Sequence, residues 1–296
     1  MTLRIGLIGR GPWGRNIQST LLSIADVSVE FIGRGETASR DLDGMVIAST
    51  SATHAELAIP YIEAGIPTFI EKPMATSCDD AERMRDAAER AGGIVFVGHI
   101  QLYNPAFLAL LELQPQLGAI AQVICHGLND RARGDSSVLW DWLPHHLSMA
   151  LAIFRRPPDR VRARALAQAP VTQAAEATFE FGQVPLVSTV SWLSPTRHQT
   201  MTIEAEHGTL TFDDKAERKL TMRRASAVSY PRYEDEPPLT REMRLFIEAI
   251  RSGNADHAQV VQGAAIVRMI AAAEESISQG GAPVELATPE WSARPT

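Results

Sequence analysis

In the first hundred residues of the chain, short apolar runs alternate with amphipathic stretches. Residues 3–8 are apolar and end in glycines, which predicts a buried strand. Residues 13–24 predict a helix, 27–32 a second strand and 44–48 a third. A helix over 53–64, a strand over 67–70, a charged amphipathic helix over 78–91 and a strand over 94–97 follow. Thr76 or Ser77 is placed to cap the charged helix. Strands alternating with helices predict a parallel sheet covered on both faces.

The pattern changes near Gly118. A strand is expected over 119–128 and a helix over 142–154. Strand-like runs then fall at 160–167, 174–181, 186–193, 200–206 and 209–213. Pro-Pro pairs at Pro157 and Pro237 mark breaks, and helices over 241–251 and 260–278 close the chain. Runs of strands predict an open, mainly antiparallel sheet. The reading is therefore an α/β domain over 1–118 and an α+β domain over 119–296.

The nine residues 35–43 between the second and third strands are too few for a crossover helix, which needs a dozen or more. Extended, they reach about 30 Å. Crossing two strand spacings and returning along a strand needs roughly 20–22 Å. A bare loop can thus carry the chain to the far side of the first strand. The usual edge strand and its helices are expected to be missing, leaving the adenine side of any nucleotide site open.

A length of 296 residues allows two domains and a large core. The net charge of -7 and the lack of a basic run speak against a nucleic-acid partner. Two cysteines, Cys78 and Cys125, cannot build a disulfide framework or a four-thiolate metal site, and they fit a reducing compartment. The opening apolar run is interrupted at Arg10, too early for a secretory signal. No stretch approaches the roughly 18 apolar residues of a membrane span, so a cytoplasmic address is expected.

Gly9-Arg10-Gly11-Pro12-Trp13-Gly14 is a G-x-G-x-x-G between a strand and a helix. The first glycine allows the tight turn, the second close approach to a pyrophosphate, and the third helix–strand packing. The helix N-terminus offers N–H groups and a positive dipole end to phosphate. This is the dinucleotide-binding pattern of a Rossmann domain, here truncated. The second strand ends Phe31-Ile32-Gly33-Arg34-Gly35, with an arginine where an acid usually binds the ribose 2′-hydroxyl. A guanidinium pairs with a 2′-phosphate, so NADP is preferred over NAD.

Hydride transfer from an alcohol needs a base for the hydroxyl proton and a cation for the developing alkoxide. Lys72 follows a buried strand at the carboxyl end of the sheet, where ligands of such folds sit. Burial near a nicotinamide would lower its pKa and suit it to either task; a plain surface lysine is the bland reading. Asp141 and His145 are spaced i, i+4 and share a helix face. A carboxylate beside an imidazole raises its basicity and orients it. Pro144 belongs in a first helical turn, which places Asp141 at or just before the helix start. His146 is the next-door rival, and a cap with a core histidine is the alternative. Trp140 and Trp142 suit either a stacking wall for a sugar or the core. His126, His198, His207 and His257 are scattered, and no metal site is expected.

Four segments in order, GRGPWG at 9–14, ASTSATH at 48–54, EKP at 71–73 and DWLPH at 141–145, resemble the Gfo/Idh/MocA oxidoreductases. VGHIQLYNPAF (97–107) and PLTREMRLFIEAIRSG (238–253) extend the resemblance over most of the chain. It implies that Lys72 is catalytic and that His145 is a general base assisted by Asp141. It implies that Ser49, Thr50 and His54 line the cofactor, with Glu71 on the nicotinamide side. It further implies a homodimer or homotetramer built through the open face of the C-terminal sheet. The alternating apolar residues of 186–193 would suit such a face. Ser148 and Leu102 depart from the family, which often has aspartate and arginine there. The expected activity is oxidation of a secondary alcohol of a sugar, nucleotide-sugar or cyclitol, or reduction of the ketone. The alternatives are a non-catalytic ligand-binding or regulatory member and a reductase of a C=N group.

Overall fold

A computed structural model describes residues 2–33, 41–132, 136–254 and 258–286. In chain order the elements are β1 (Leu3–Ile8), α1 (Pro12–Leu22), β2 (Val27–Phe31), β3 (Gly44–Ile47), α2 (His54–Glu63), β4 (Thr68–Glu71), α3 (Cys78–Ala91) and β5 (Val95–Gly98). There follow α4 (Pro105–Leu113), β6 (Ile120–Leu128), α5 (Val138–Phe154), β7 (Arg160–Gln168), β8 (Thr172–Phe181) and β9 (Val184–Ser191). The rest are β10 (His198–Ala205), β11 (Gly208–Asp213), β12 (Leu220–Arg224), β13 (Ala227–Ser229), α6 (Pro238–Ser252), α7 (Ala258–Ser278) and β14 (Val284–Glu285).

Two compact units share these elements. The first comprises Met1–Tyr103 and Glu236–Arg268, the second Asn104–Asp235 and Met269–Thr296. A linear cut at 118 gives the second domain a segment that the fold places in the first. The reason is the apolar face of α6, where Met243, Phe246 and Ile247 are buried against Phe69 and Phe96 of the parallel sheet.

The first unit holds a five-stranded sheet in the order β2-β1-β3-β4-β5, with every pairing parallel. β2 and β3 lie on opposite sides of β1, the order that the short connection was expected to allow. Among the described residues no strand lies outside β2, and each of its residues is only partly buried, as an edge requires. The inner strands β3 and β4, and β5 at the other edge, are buried throughout, in keeping with their mainly apolar sequences. Ser77 caps α3 by accepting a hydrogen bond from the Asp80 N–H at 3.1 Å, and Gly92 ends that helix in the left-handed region.

The second unit holds a nine-stranded sheet, ordered β13-β12-β11-β10-β6-β9-β8-β7-β14. The β6–β9 pair is parallel and the rest are antiparallel. β12, β13 and β14 are short strands that the sequence pattern did not reveal. α5 packs on β6, β8 and β9. In β9 the apolar Leu186 and Val190, with Trp192 just beyond, face inward. The outward row holds Val187, Thr189 and Ser191. The alternation in 186–193 therefore serves this unit's own core, contrary to its reading as an assembly face.

α5 begins at Val138, with Ser137 at the N-cap position. Asp141 lies in the first turn, inside the helix rather than at or before its start. Pro144 is interior, and its missing N–H leaves the Trp140 carbonyl without the helical donor it would otherwise have.

Candidate active site

The glycine turn follows β1 directly. Gly9 has φ +121°, and a Cβ on it would lie 2.2 Å from the Ala48 carbonyl oxygen. A Cβ on Gly14 would lie 2.0 Å from the Gly9 carbonyl oxygen. Both glycines are thus demanded by the protein's own backbone. Gly11 is different: a Cβ there meets nothing within 4 Å. Gly11 is the N-cap residue of α1, no side chain caps that end, and Pro12 occupies the first turn. This arrangement fits a pyrophosphate, which needs a bare backbone and an uncapped helix N-terminus. Arg34 falls outside the described residues. Arg10, which the sequence reading passed over, lies with its guanidinium carbon 5.3 Å from the centre of the Phe31 ring, at the end of β2. A cation therefore stands beside the strand end where 2′-phosphate recognition was expected.

Trp13 ties this turn to β4. Its indole N–H donates to Oε1 of Glu71, the last residue of β4. Glu71 Oε2 accepts the backbone N–H of Lys72 at 3.1 Å. Glu71 is 6% exposed, whereas Lys72 is half-buried at the carboxyl edge of the sheet. The Ser49 hydroxyl lies 2.9 Å from that of Thr53, in the turn after β3 that also carries Thr50. The His54 ring is buried. Nδ1 lies 3.0 Å from the Pro73 carbonyl oxygen and Nε2 3.2 Å from that of Ser49. His54 thus clamps the loop after β3 to the segment after Lys72, and burial lowers its pKa. Its ring is engaged by backbone, so any effect on a cofactor passes through that loop.

His99, just after β5, is buried, and among the described residues neither of its nitrogens has a hydrogen-bond partner. Burial first, and the nearby Lys72 charge second, push its pKa down to about 3, so the ring is neutral. Sequence reasoning had no signal for this beyond the VGH segment. Leu102 lies in a 3-10 turn, Ile100–Tyr103, that follows.

In the second unit the two neighbouring histidines point differently. His146 is fully buried toward the sheet, with Nδ1 2.6 Å from the Ser188 hydroxyl of β9. Burial is the main cause that drives its pKa to about 3. His145 is half-buried and stands edge-on to Trp142, with ring centres 6.2 Å apart. The rival is therefore a core histidine. Asp141 is 7% exposed, and its Oδ2 accepts the Trp192 indole N–H at 3.0 Å. Trp192 is a partner that sequence reasoning missed, because it is distant in the chain. Trp140 and Trp142 are both buried. The Trp142 ring lies on Gly127 of β6, where a Cβ would come within 2.6 Å of it, which favours the core reading of that pair. Ser148 is buried, and its hydroxyl donates to the His145 carbonyl at 3.0 Å, so it turns back on its own helix. Among the described residues no group of three His, Cys, Asp or Glu side chains could hold a metal ion. Nor is any described helix long and apolar enough to cross a membrane.

Two family models match the chain. The one described as "Oxidoreductase family, NAD-binding Rossmann fold" covers residues 26–99, and the one described as "GFO/IDH/MocA C-terminal domain" covers 117–211. The chain belongs to the Gfo/Idh/MocA family. Among its Gfo/Idh/MocA relatives, the inositol 2-dehydrogenase of Paracoccus denitrificans is 32% identical over 136 residues. That match spans 37% of this chain and 40% of the relative. A crystal structure from Magnetospirillum magnetotacticum superposes with a TM-score of 0.83 at 27% identity, over 92% of this chain and 99% of that one. UDP-N-acetylglucosamine 3-dehydrogenase GnnA from Acidithiobacillus ferrooxidans has the same fold, with a TM-score of 0.83 at 19% identity over 94% and 99%.

Proposed function

We propose that this Gfo/Idh/MocA chain is a nicotinamide-dependent oxidoreductase that interconverts a secondary alcohol and its ketone on a cyclitol, sugar or nucleotide-sugar. The observation that carries the reading is the Trp13–Glu71 hydrogen bond. It fastens the dinucleotide turn to the strand end whose next residue is Lys72, so phosphate recognition and a candidate reacting group belong to one rigid edge. The inositol dehydrogenase relative and the GnnA fold support the substrate class.

A bound nicotinamide would supply the hydride acceptor or donor. The Gly9–Gly14 turn and the N-terminus of α1 would hold the pyrophosphate. Ser49 and Thr50 would line the cofactor, with Glu71 on its nicotinamide side. Arg10, together with Arg34, would favour NADP over NAD by pairing with a 2′-phosphate. Lys72 would stabilise the alkoxide as a fixed cation. His145 would take the hydroxyl proton, with Asp141, oriented by Trp192, favouring its protonated form. A homodimer or homotetramer is proposed from the family, through the outward face of the nine-stranded sheet. Sedimentation of the full chain would measure its order.

The test is a titration with NADPH and NADH followed by assay on a panel of inositols and UDP-sugars. Expected is tighter binding of NADPH, with turnover that Lys72→Ala and His145→Ala lower by about 10²- to 10⁴-fold. Failure of the wild-type protein to bind either dinucleotide would sink the enzyme reading.

A further inference from the structure

α6 runs from the carboxyl edge of the parallel sheet to its amino edge. The helix packs beside the turn Ile100–Tyr103 that leaves β5 at the carboxyl edge. Near its end Ile250 touches Gly44 at the start of β3, and Arg251 donates to the Ala25 carbonyl at 2.7 Å, just before β2. Midway, Phe246 stands edge-on to both Phe69 and Phe96, with ring centres 5.8 and 5.4 Å away. In the β4–β5 register Phe69 pairs with Phe96 and, two residues on, Glu71 pairs with Gly98. Four residues along a helix cover about 6 Å, and two along a strand about 6.6 Å. Glu242, four residues before Phe246, therefore sits over Glu71 and Gly98. Gly98 makes the room, since a Cβ there would come within 3.0 Å of Glu71 Oε2.

Glu242 is 0% exposed, and among the described residues no donor meets either of its carboxyl oxygens. We propose that Glu242 is a positioning residue that shares a proton with Glu71 and so holds the Trp13 indole and the glycine turn in the shape that receives a dinucleotide. The proposal deepens the dinucleotide reading and rests on it for the identity of the ligand alone.

The physics is that of two carboxyl groups in a dry site. Both cannot ionise there, because each lacks solvent and repels the other. Glu71 already accepts from Trp13 and from the Lys72 N–H, which favours its charged form. The proton then resides on Glu242, where burial first and the Glu71 charge second hold the carboxyl well above the ordinary range. A protonated Glu242 is a donor in need of an acceptor, and Glu71 is the acceptor facing it. Lys72 is the cation at this edge, and His99 near it is neutral. Replacing Glu242 by an apolar residue removes one restraint on the Glu71 carboxylate, and Trp13 is then held less firmly.

The experiment has three readouts on the full chain. Infrared difference spectra of wild type minus Glu242→Gln at neutral pH should show the carbonyl band of a protonated carboxyl. The emission of Trp13, read as wild type minus Trp13→Phe, should change in Glu242→Leu and persist in Glu242→Gln, whose amide still donates to Glu71. NADPH binding should weaken roughly 10- to 100-fold in Glu242→Leu, as for loss of a hydrogen bond to a charged group, and Glu242→Gln should recover most of it. Absence of the protonated band overturns the proposal, and so does equal weakening in the two variants. If Glu242→Leu does not fold, the infrared band and the Glu242→Gln affinity still decide. If wild type binds neither NADPH nor NADH, the dinucleotide reading fails, while the band and the Trp13 emission still judge the carboxyl pair.

Discussion

Glu242 in the first unit and His146 in the second are both fully buried ionisable groups, and burial neutralises them by opposite proton changes. His146 loses a proton on burial and engages the Ser188 hydroxyl within an apolar sheet face. Glu242 gains one and faces another carboxylate, Glu71. The imidazole is neutral chiefly through burial, with the neighbouring His126 charge a smaller contribution. The carboxyl is raised by burial first and by the Glu71 charge second, and that second contribution couples its state to Trp13 and the glycine turn. A buried titratable group is thus core furniture when its partner is a hydroxyl. It belongs to a site when its partner is a charge that touches a ligand-binding loop.

The sharpest way to break this comparison is to exchange the members of the second unit's histidine pair. On the substrate that the panel assay identifies, His145→Ala and Lys72→Ala are expected to lower kcat by about 10²- to 10⁴-fold. His146→Gln should cost stability with far less effect on kcat. A larger kcat loss at 146 than at 145 would reverse the assignment of the two faces. Next in size, Phe246→Ala removes the ring that seats α6 on Phe69 and Phe96. It should lower unfolding stability in urea by about 3–5 kcal/mol, and it should loosen Glu242 as well.

The pH dependence of stability separates the two kinds of burial. His99 and His146 titrate near 3 when folded and near the ordinary 6.5 when unfolded. Between those values the unfolded chain binds more protons. Their contribution is therefore complete above pH 6.5 and is lost as the pH falls toward 3. Glu242 behaves oppositely, because its folded pKa is raised. Its contribution is complete below its unfolded pKa near 4.5 and is lost as the pH rises through the folded value. Urea midpoints measured across pH should show His146→Gln flattening the acid side and Glu242→Gln flattening the alkaline side. A smaller effect is expected from Gly98→Ala, whose methyl group must displace the Glu71 carboxylate. About 1–3 kcal/mol of overpacking should appear as weaker NADPH binding together with a lower melting temperature. Smallest is Arg10→Ala, for which the ratio of NADPH to NADH affinity should fall about tenfold, near 1.4 kcal/mol. An unchanged ratio would leave 2′-phosphate recognition to residues other than Arg10.

Much of the dinucleotide edge was legible because its groups follow one another in the chain. The glycine turn, the Glu71-Lys72 pair and the placing of β2 and β3 on either side of β1 are each set by a few consecutive residues and by how far a short loop can reach. The second unit was less legible. Its strands after residue 213 are short and weakly patterned, and one proline shifted the expected start of α5 by four residues. Glu242 was invisible as a site residue, since an acid on a charged amphipathic helix reads as solvated. Trp192 and Asp141 are 51 positions apart, and no local pattern joins them.

What the order of residues alone determined is the identity of the strands and turns, because backbone sterics and hydrophobic periodicity act over a few neighbours. It also determined that a glycine turn and a lysine follow parallel strands. Tertiary structure decided which of two adjacent imidazoles faces a sheet, that a helix near the carboxyl end of the chain returns to the first unit, and that an acid on that helix is driven against another. Burial and the partner across a packed interface set those outcomes, and both arise only when distant segments meet.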